Sequence, residues 1–266
     1  MTTGLSDMGE VRTDLSERGI ATVTLSNPTR MNAMQLGMWQ ALTKTMQALS
    51  DDERVRVVLL RGEGSAAFVS GADISEFNEL RATPEAVAYY DQCVEEAESA
   101  VGACRKPVIA AISGVCFGGG LGIASSCDLR YASLDVRFCV PAGKLGLGYG
   151  LEDVKRLHRI LGATTVTELL LTAKVFKGAD AARVGLAHAC VDDVFAHSLA
   201  QAESIAALAP MTLRSIKMAL QHIDTVAGAP GTHEVAQAVQ ACFDSEDYAE
   251  GRRAFAEKRT PNFVGR

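Results

Sequence analysis

Met34, Met38, Leu42 and Met46 recur at intervals of four. That spacing lays apolar side chains along one face of a helix and predicts an amphipathic helix over 33–49. Before it, residues 20–25 mix β-branched, small and apolar side chains and read as a strand ending at the Asn27-Pro28 turn. After it, residues 55–60 are almost continuously apolar, the pattern of a strand covered on both faces. Residues 108–112 have the same character, and 129–132 and 136–140 read as two more strands. Strands alternating with helices through the first two thirds point to an α/β class. Residues 1–10 read as a flexible start.

The texture changes after Gly150. Residues 151–161 have helical spacing with Gly162 as their C-cap, 165–172 and 180–184 are further helices, and Cys190-Val191 closes one last short strand. From Val194 onward the pattern is helical only, over 194–208, 211–222, 232–244 and 246–257, with 228–231 as a linker. The expected organisation is a core over 11–193 and a helical region over 194–266 that packs on the core or on a neighbouring subunit.

Composition narrows the function classes. At 266 residues, 48% hydrophobic and 22% charged, the chain can bury a sizeable core as one large domain with an appendage. A net charge of −6 argues against nucleic acid or an anionic membrane surface as the main partner. The first twelve residues lack the apolar stretch of a signal peptide. Glycine or charge interrupts every run that would otherwise approach a membrane span. Seven cysteines form no C-x-x-C pair; with an odd count and no export signal they predict reduced thiols and a cytoplasmic protein. The five histidines are equally scattered, so no metal site is expected.

Two segments carry the candidate chemistry. One is Phe68-Val69-Ser70-Gly71-Ala72-Asp73. The other is an apolar strand from Ala110 that runs into Gly118-Gly119-Gly120 and then a helix-like stretch. Glycines admit a ligand close to the backbone, and a helix start offers unpaired N–H groups. Together these can hold negative charge on a carbonyl oxygen without any side chain. A dinucleotide fingerprint fails in both registers, which end on Ile123 and Ser125 instead of glycine or alanine. No G-K-[ST] and no G-x-S-x-G are present. Taken alone, the glycine run equally suits a turn that only permits close strand–helix packing.

Five stretches in register resolve that ambiguity: Asn27-Pro28-Thr29-Arg30-Met31-Asn32-Ala33, Ser70-Gly71-Ala72-Asp73-Ile74, Lys106 to Ala111, Gly114 to Gly120 with Cys127-Asp128, and the ending Lys258 to Phe263. In order and spacing the chain resembles the enoyl-CoA hydratase/isomerase (crotonase) superfamily. The resemblance implies a crotonase spiral of β-β-α units with a helical C-terminal region, assembly as trimers or hexamers, and acyl-CoA thioester substrates. CoA is then part of the substrate, and no separate cofactor is implied. It also implies an oxyanion hole made of the backbone amides of Ala72 and Gly119. Arg30, Ala33, Ser70, Ala72, Ile74, Lys258 and Phe263 are the expected CoA contacts, the last two often serving a neighbouring subunit. Asp73 and Asp128 belong to the pattern as structural residues.

The departures bear on the reaction. Hydratases of the family place glutamates where this chain has Gly122 and Ala142, and other members keep an aspartate where it has Gly150. Without those acids, neither proton transfer of ordinary hydration has its usual agent. The expectation is therefore a lyase or isomerase running enolate chemistry such as decarboxylation. One alternative is a hydratase or isomerase with displaced acids, for which Glu152 at a helix start is a candidate. The other is an acyl-CoA-binding protein without catalysis. Tyr149 stands between glycines in a stretch that resembles the methylmalonyl-CoA decarboxylase branch. Its phenol is a candidate to orient a carboxylate or protonate an enolate, against a plain role as pocket wall. That branch keeps a His where this chain has Ala72.

Overall fold

The computed structural model describes residues 8–224 and 230–266. Residues 1–7, most of the expected flexible start, and Gly228 and Ala229 of the expected linker lie outside the described residues. The strands are β1 (Glu10–Leu15), β2 (Ile20–Ser26), β3 (Val57–Gly62), β4 (Ala67–Val69), β5 (Val108–Ile112), β6 (Val115–Phe117), β7 (Leu129–Ser133), β8 (Arg137–Cys139), β9 (Phe176–Lys177) and β10 (Ala189–Val191). The helices are α1 (Leu36–Asp51), α2 (Phe77–Leu80), α3 (Pro84–Ala103), α4 (Gly119–Ser126), α5 (Ala142–Leu145), α6 (Leu151–Thr172), α7 (Gly178–Arg183), α8 (Val194–Ala206), α9 (Pro210–Ile223), α10 (Thr232–Phe243) and α11 (Glu246–Glu257).

Six strands form one sheet in the order β1-β2-β3-β5-β7-β10, and four form a second in the order β4-β6-β8-β9. Three consecutive strand pairs, β3/β4, β5/β6 and β7/β8, each send one strand to the large sheet and the next to the small one. The chain then returns through helix, so the path winds as a spiral of β-β-α units, as the resemblance implies. The antiparallel edge strand β1 pairs Glu10–Leu15 against β2. It follows from no apolar alternation, because five of its six residues are exposed and the strand is held by its backbone ladder and by surface ion pairs of Arg12 with Glu10 and Glu63.

Burial explains why the strands read so plainly. Val58 and Leu60 face the main core beside Met38, Trp39 and Leu42, while Val57 and Leu59 face a second cluster under α8. Covered on both faces, β3 has no polar side to show. α8 lies on this outer face with Val194, Ala202, Phe195 and Leu199, so helical texture beginning at Val194 does not leave the sheet at once.

Two local outcomes differ from the pattern reading, and one at Gly162 follows it. α1 begins at Leu36 rather than 33, because Met34 is taken as a parallel bridge partner of Ala72. Gly162, expected as a cap, has φ 68° and ψ 170° and ends the first of two helical segments that meet there at a kink within α6, as its reading as a cap implies. α3, which the sequence pattern did not single out, is started by Pro84 in its first turn and by the Thr83 hydroxyl, which accepts from Ala86 N–H at 3.2 Å. No helix of the described residues is long and apolar enough to cross a membrane. All seven cysteines are free, and the described residues hold no cluster of His, Cys, Asp and Glu suited to a metal.

Candidate active site

β4 and β6 run parallel and side by side, so the segments leaving their C-terminal ends lie together. After β4, the Met34 N–H donates to the Gly71 carbonyl at 2.8 Å, and the Asp73 N–H donates to the Met34 carbonyl at 2.9 Å. Those bonds flank Ala72 and leave its own N–H unused. After β6, Gly118 N–H is held by the Cys139 carbonyl at 2.9 Å, and Gly119 opens α4. Neither the Ala72 nor the Gly119 N–H has a partner among the described residues. Gly119 must be glycine: a Cβ there would stand 2.9 Å from the indole ring of Trp39. Asp73 is buried and braces the first segment, accepting from Ser75 N–H and Oγ at 3.1 and 2.7 Å and standing 3.5 Å from Arg30 Nη1. Burial works to raise its pKa, but the Ser75 hydrogen bonds and the nearby Arg30 charge hold it below its ordinary value.

Ala72 and Gly119 both line a cavity of about 460 Å³ that also reaches Arg30, Ala33, Ser70, Ile74 and Tyr149. Seven residues expected from sequence, including the two amide donors, are thus gathered at one place. Arg30 is partly exposed at the edge of the cavity, while Ala142 forms a wall without an acid. The Tyr149 hydroxyl makes no hydrogen bond to the described residues. Burial, reinforced by the charges of Asp153 and Glu98, pushes its phenol well above the ordinary value and keeps it neutral.

Three expected site residues are not at the cavity. Glu152 is exposed and bound to Lys155 Nζ at 2.7 Å; helix geometry turns its neighbour Asp153 inward instead. Lys258 is exposed. Phe263 packs near Gly251, and its carbonyl accepts from Arg56 Nη2 at 2.8 Å. Within one chain, neither C-terminal residue lines the pocket; the tail is held by Arg56 and by Asp247, which accepts from the Gly265 N–H at 2.9 Å.

Sequence reasoning missed Glu98. It lies on α3, only 2% exposed, and lines the cavity. Its Oε2 accepts from Arg156 Nη2 at 2.6 Å, and the same nitrogen donates to Asp153 Oδ1 at 2.8 Å. Burial first, then the Asp153 charge, raises the Glu98 carboxyl well above its ordinary value despite Arg156. A signal was present: Glu98 falls four residues after Val94 and three before Val101, on the apolar stripe of the helix, where a carboxylate needs a reason.

Comparison with known proteins agrees with this geometry. The family model described as enoyl-CoA hydratase/isomerase matches residues 16–266. A short-chain-enoyl-CoA hydratase of Clostridium acetobutylicum is 32% identical over 250 residues, covering 91% of this chain and 93% of the relative. A crystal structure of an enoyl-CoA hydratase/carnithine racemase from Magnetospirillum magneticum superposes with a TM-score of 0.91 at 37% identity, covering 97% of each chain. An enoyl-CoA hydratase from Bacillus anthracis superposes with a TM-score of 0.90 at 27% identity, covering 97% of this chain and 100% of the other. With the strand spiral, the two opposed glycine segments and a family match over nearly its whole length, the chain belongs to the enoyl-CoA hydratase/isomerase family.

Proposed function

We propose that the protein is an enzyme that turns over an acyl-CoA thioester through an enolate held by the Ala72 and Gly119 amides. The observation that carries this is a pair of unspent N–H groups on two residues that line one cavity. Losing one donor of such a pair typically costs about 2.7–4 kcal/mol of transition-state stabilisation. Arg30 at the edge is placed for the CoA phosphates. CoA enters as part of the substrate.

The finer reaction follows from which groups can move a proton. Gly122 and Ala142 supply none, which favours decarboxylation, and the neutral Tyr149 phenol suits a proton donor to an enolate. The carboxylates of Glu98 and Asp153 favour the other reading, proton transfer at the carbons of a neutral acyl group by displaced acids. A malonyl-type acyl group would bring its own carboxylate beside Asp153 and the buried Glu98 carboxyl, and a further anion in a desolvated site is costly. We therefore place isomerase- or hydratase-type proton transfer first and decarboxylation second. Parallel turnover assays on enoyl-, malonyl- and methylmalonyl-CoA test the order. Consumption of the malonyl-type thioesters alone would reverse it, and binding of all three by calorimetry without turnover would make the protein an acyl-CoA carrier. We further propose that the active form is a trimer or hexamer.

A further inference from the structure

Gly122 sits one turn inside α4, about 4.5 Å along the axis from Gly119. The position has no side chain, yet the space is filled. Glu98 Oε1 occupies the place where a Cβ at residue 122 would stand, with Glu98 Cδ 2.6 Å from it. Asp153, in the first turn of α6, stands beside Glu98, and its Oδ2 lies 3.2 Å from where a Cβ at the helix's own Gly150 would be. One position without a side chain is thus filled by a carboxylate from another helix, and one Arg156 nitrogen joins that carboxylate to Asp153.

We propose that Glu98 is the catalytic base and acid of this chain, delivered from α3 into the space beside Gly122, with Arg156 and Asp153 as its positioning residues. The proposal rests on the enolate reading above. A strut between α3 and α6 would need one carboxylate for one guanidinium. Here two carboxyl groups share a single nitrogen, so ionising both would leave an excess negative charge in a largely buried place, which one proton relieves. Glu98 also divides its work. Oε2 takes the Arg156 hydrogen bond, whereas Oε1 lies against α4. In the step assigned to it, the carboxylate takes a proton from the acyl α-carbon. The C–H electron pair moves into the enolate, whose oxygen is held by the Ala72 and Gly119 amides. The proton then returns from the Glu98 carboxyl to carbon, and no other reactant is consumed.

Exchange at the α-carbon tests this without knowledge of the physiological substrate. Butyryl-CoA is incubated with the full chain in deuterium oxide, and label at C2 is followed by NMR. The expected result is incorporation by the unaltered protein and a loss of about 10²–10⁴-fold in Glu98→Gln, with butyryl-CoA affinity by calorimetry nearly unchanged. No incorporation by the unaltered protein would overturn the enolate reading and this proposal with it. Incorporation that survives Glu98→Gln would overturn the proposal alone and leave Glu98 a strut. Should Glu98→Gln not fold, two further chains give the same readout. Glu98→Asp keeps the charge and draws the carboxylate back, so it should slow exchange. The double variant Glu98→Ala with Gly122→Glu returns a carboxylate to the same space from α4 and should restore exchange that Glu98→Ala lacks. Full exchange in Glu98→Asp, or none in a folded double variant that binds butyryl-CoA, counts against the proposal.

Discussion

Single residues in the cavity separate packing from chemistry. Tyr149 packs its ring against the main core while its hydroxyl makes no bond to the described residues. Tyr149→Phe should therefore leave the melting temperature and thioester affinity nearly unchanged, and lower turnover if the phenol donates a proton. Full turnover in that variant would reduce Tyr149 to wall. Glu98 makes a prediction in pH. Its carboxyl is held above its ordinary 4.5 by burial first and by Asp153 next. The folded chain therefore keeps a proton that the unfolded chain releases. The Glu98 contribution to stability is fully present below about pH 4.5 and is lost as pH rises from there through the raised value. Arg156 and Asp153 on α6, Tyr149 before it and Glu95 on α3 itself are the ionisable groups around it. Denaturant titrations across that window should show a decline with rising pH that Glu98→Gln flattens. Equal slopes in the two proteins would show that Glu98 titrates normally.

At the scale of elements, the contact between α3 and α4 is the test case. A methyl group at 122 would enter the space held by Glu98 Oε1, and overpacking of this kind costs about 1–3 kcal/mol. Gly122→Ala should lower stability by that order. Combined with Glu98→Ala, which vacates the space, it should cost much less than the two single changes added together. Additive losses in denaturant titrations would mean that α3 and α4 adjust independently and that the fit at this point is slack. The same pairing of elements shows why α1 starts late. Met34 and Ala72 are joined across the first oxyanion segment, so the backbone before Leu36 serves the site rather than the helix.

For the molecule as a whole, α9, α10 and the start of α11 leave a set of large apolar side chains in solvent: Ile216, Leu220, Ile223, Val239, Phe243 and Tyr248. On the proposed trimer or hexamer these would be covered, since exposed apolar clusters of this kind mark association surfaces. Light scattering should give a mass of three or six chains, and Leu220→Glu with Ile223→Glu should lower it. A monomer at working concentration in the unaltered protein would remove the assembly proposal, and with it the assignment of Lys258 and Phe263 to a neighbour's pocket. α9 itself is anchored to the core: Lys217 Nζ donates to Asp128 Oδ2 at 2.7 Å, and that carboxylate also accepts from Val108 N–H at 2.7 Å. Asp128 is thus structural, as read from sequence.

Local chemistry was legible where a residue's role is met by its chain neighbours. The two-sided burial of β3 and β5 shows as unbroken apolar runs, because a strand covered on both faces tolerates little else. The oxyanion segments show as glycines, because backbone donors need a helix start and the absence of Cβ atoms. The α/β class and the family follow from that level. β1 was not legible, since an edge strand held by its backbone leaves no side-chain pattern. The proton-handling group was not legible either. Position 122 lacks an acid in the sequence, and only the packing of α3 against α4 puts Glu98 into its space. Glu152 and Asp153 are adjacent in the chain and equally acidic, and the rotation of α6 decides that one meets Lys155 in solvent and the other Arg156 in the cavity. Distance along the chain carries no information about which side chain fills the gap at Gly122. That is decided when helices dock, because a buried space admits one occupant whichever helix supplies it.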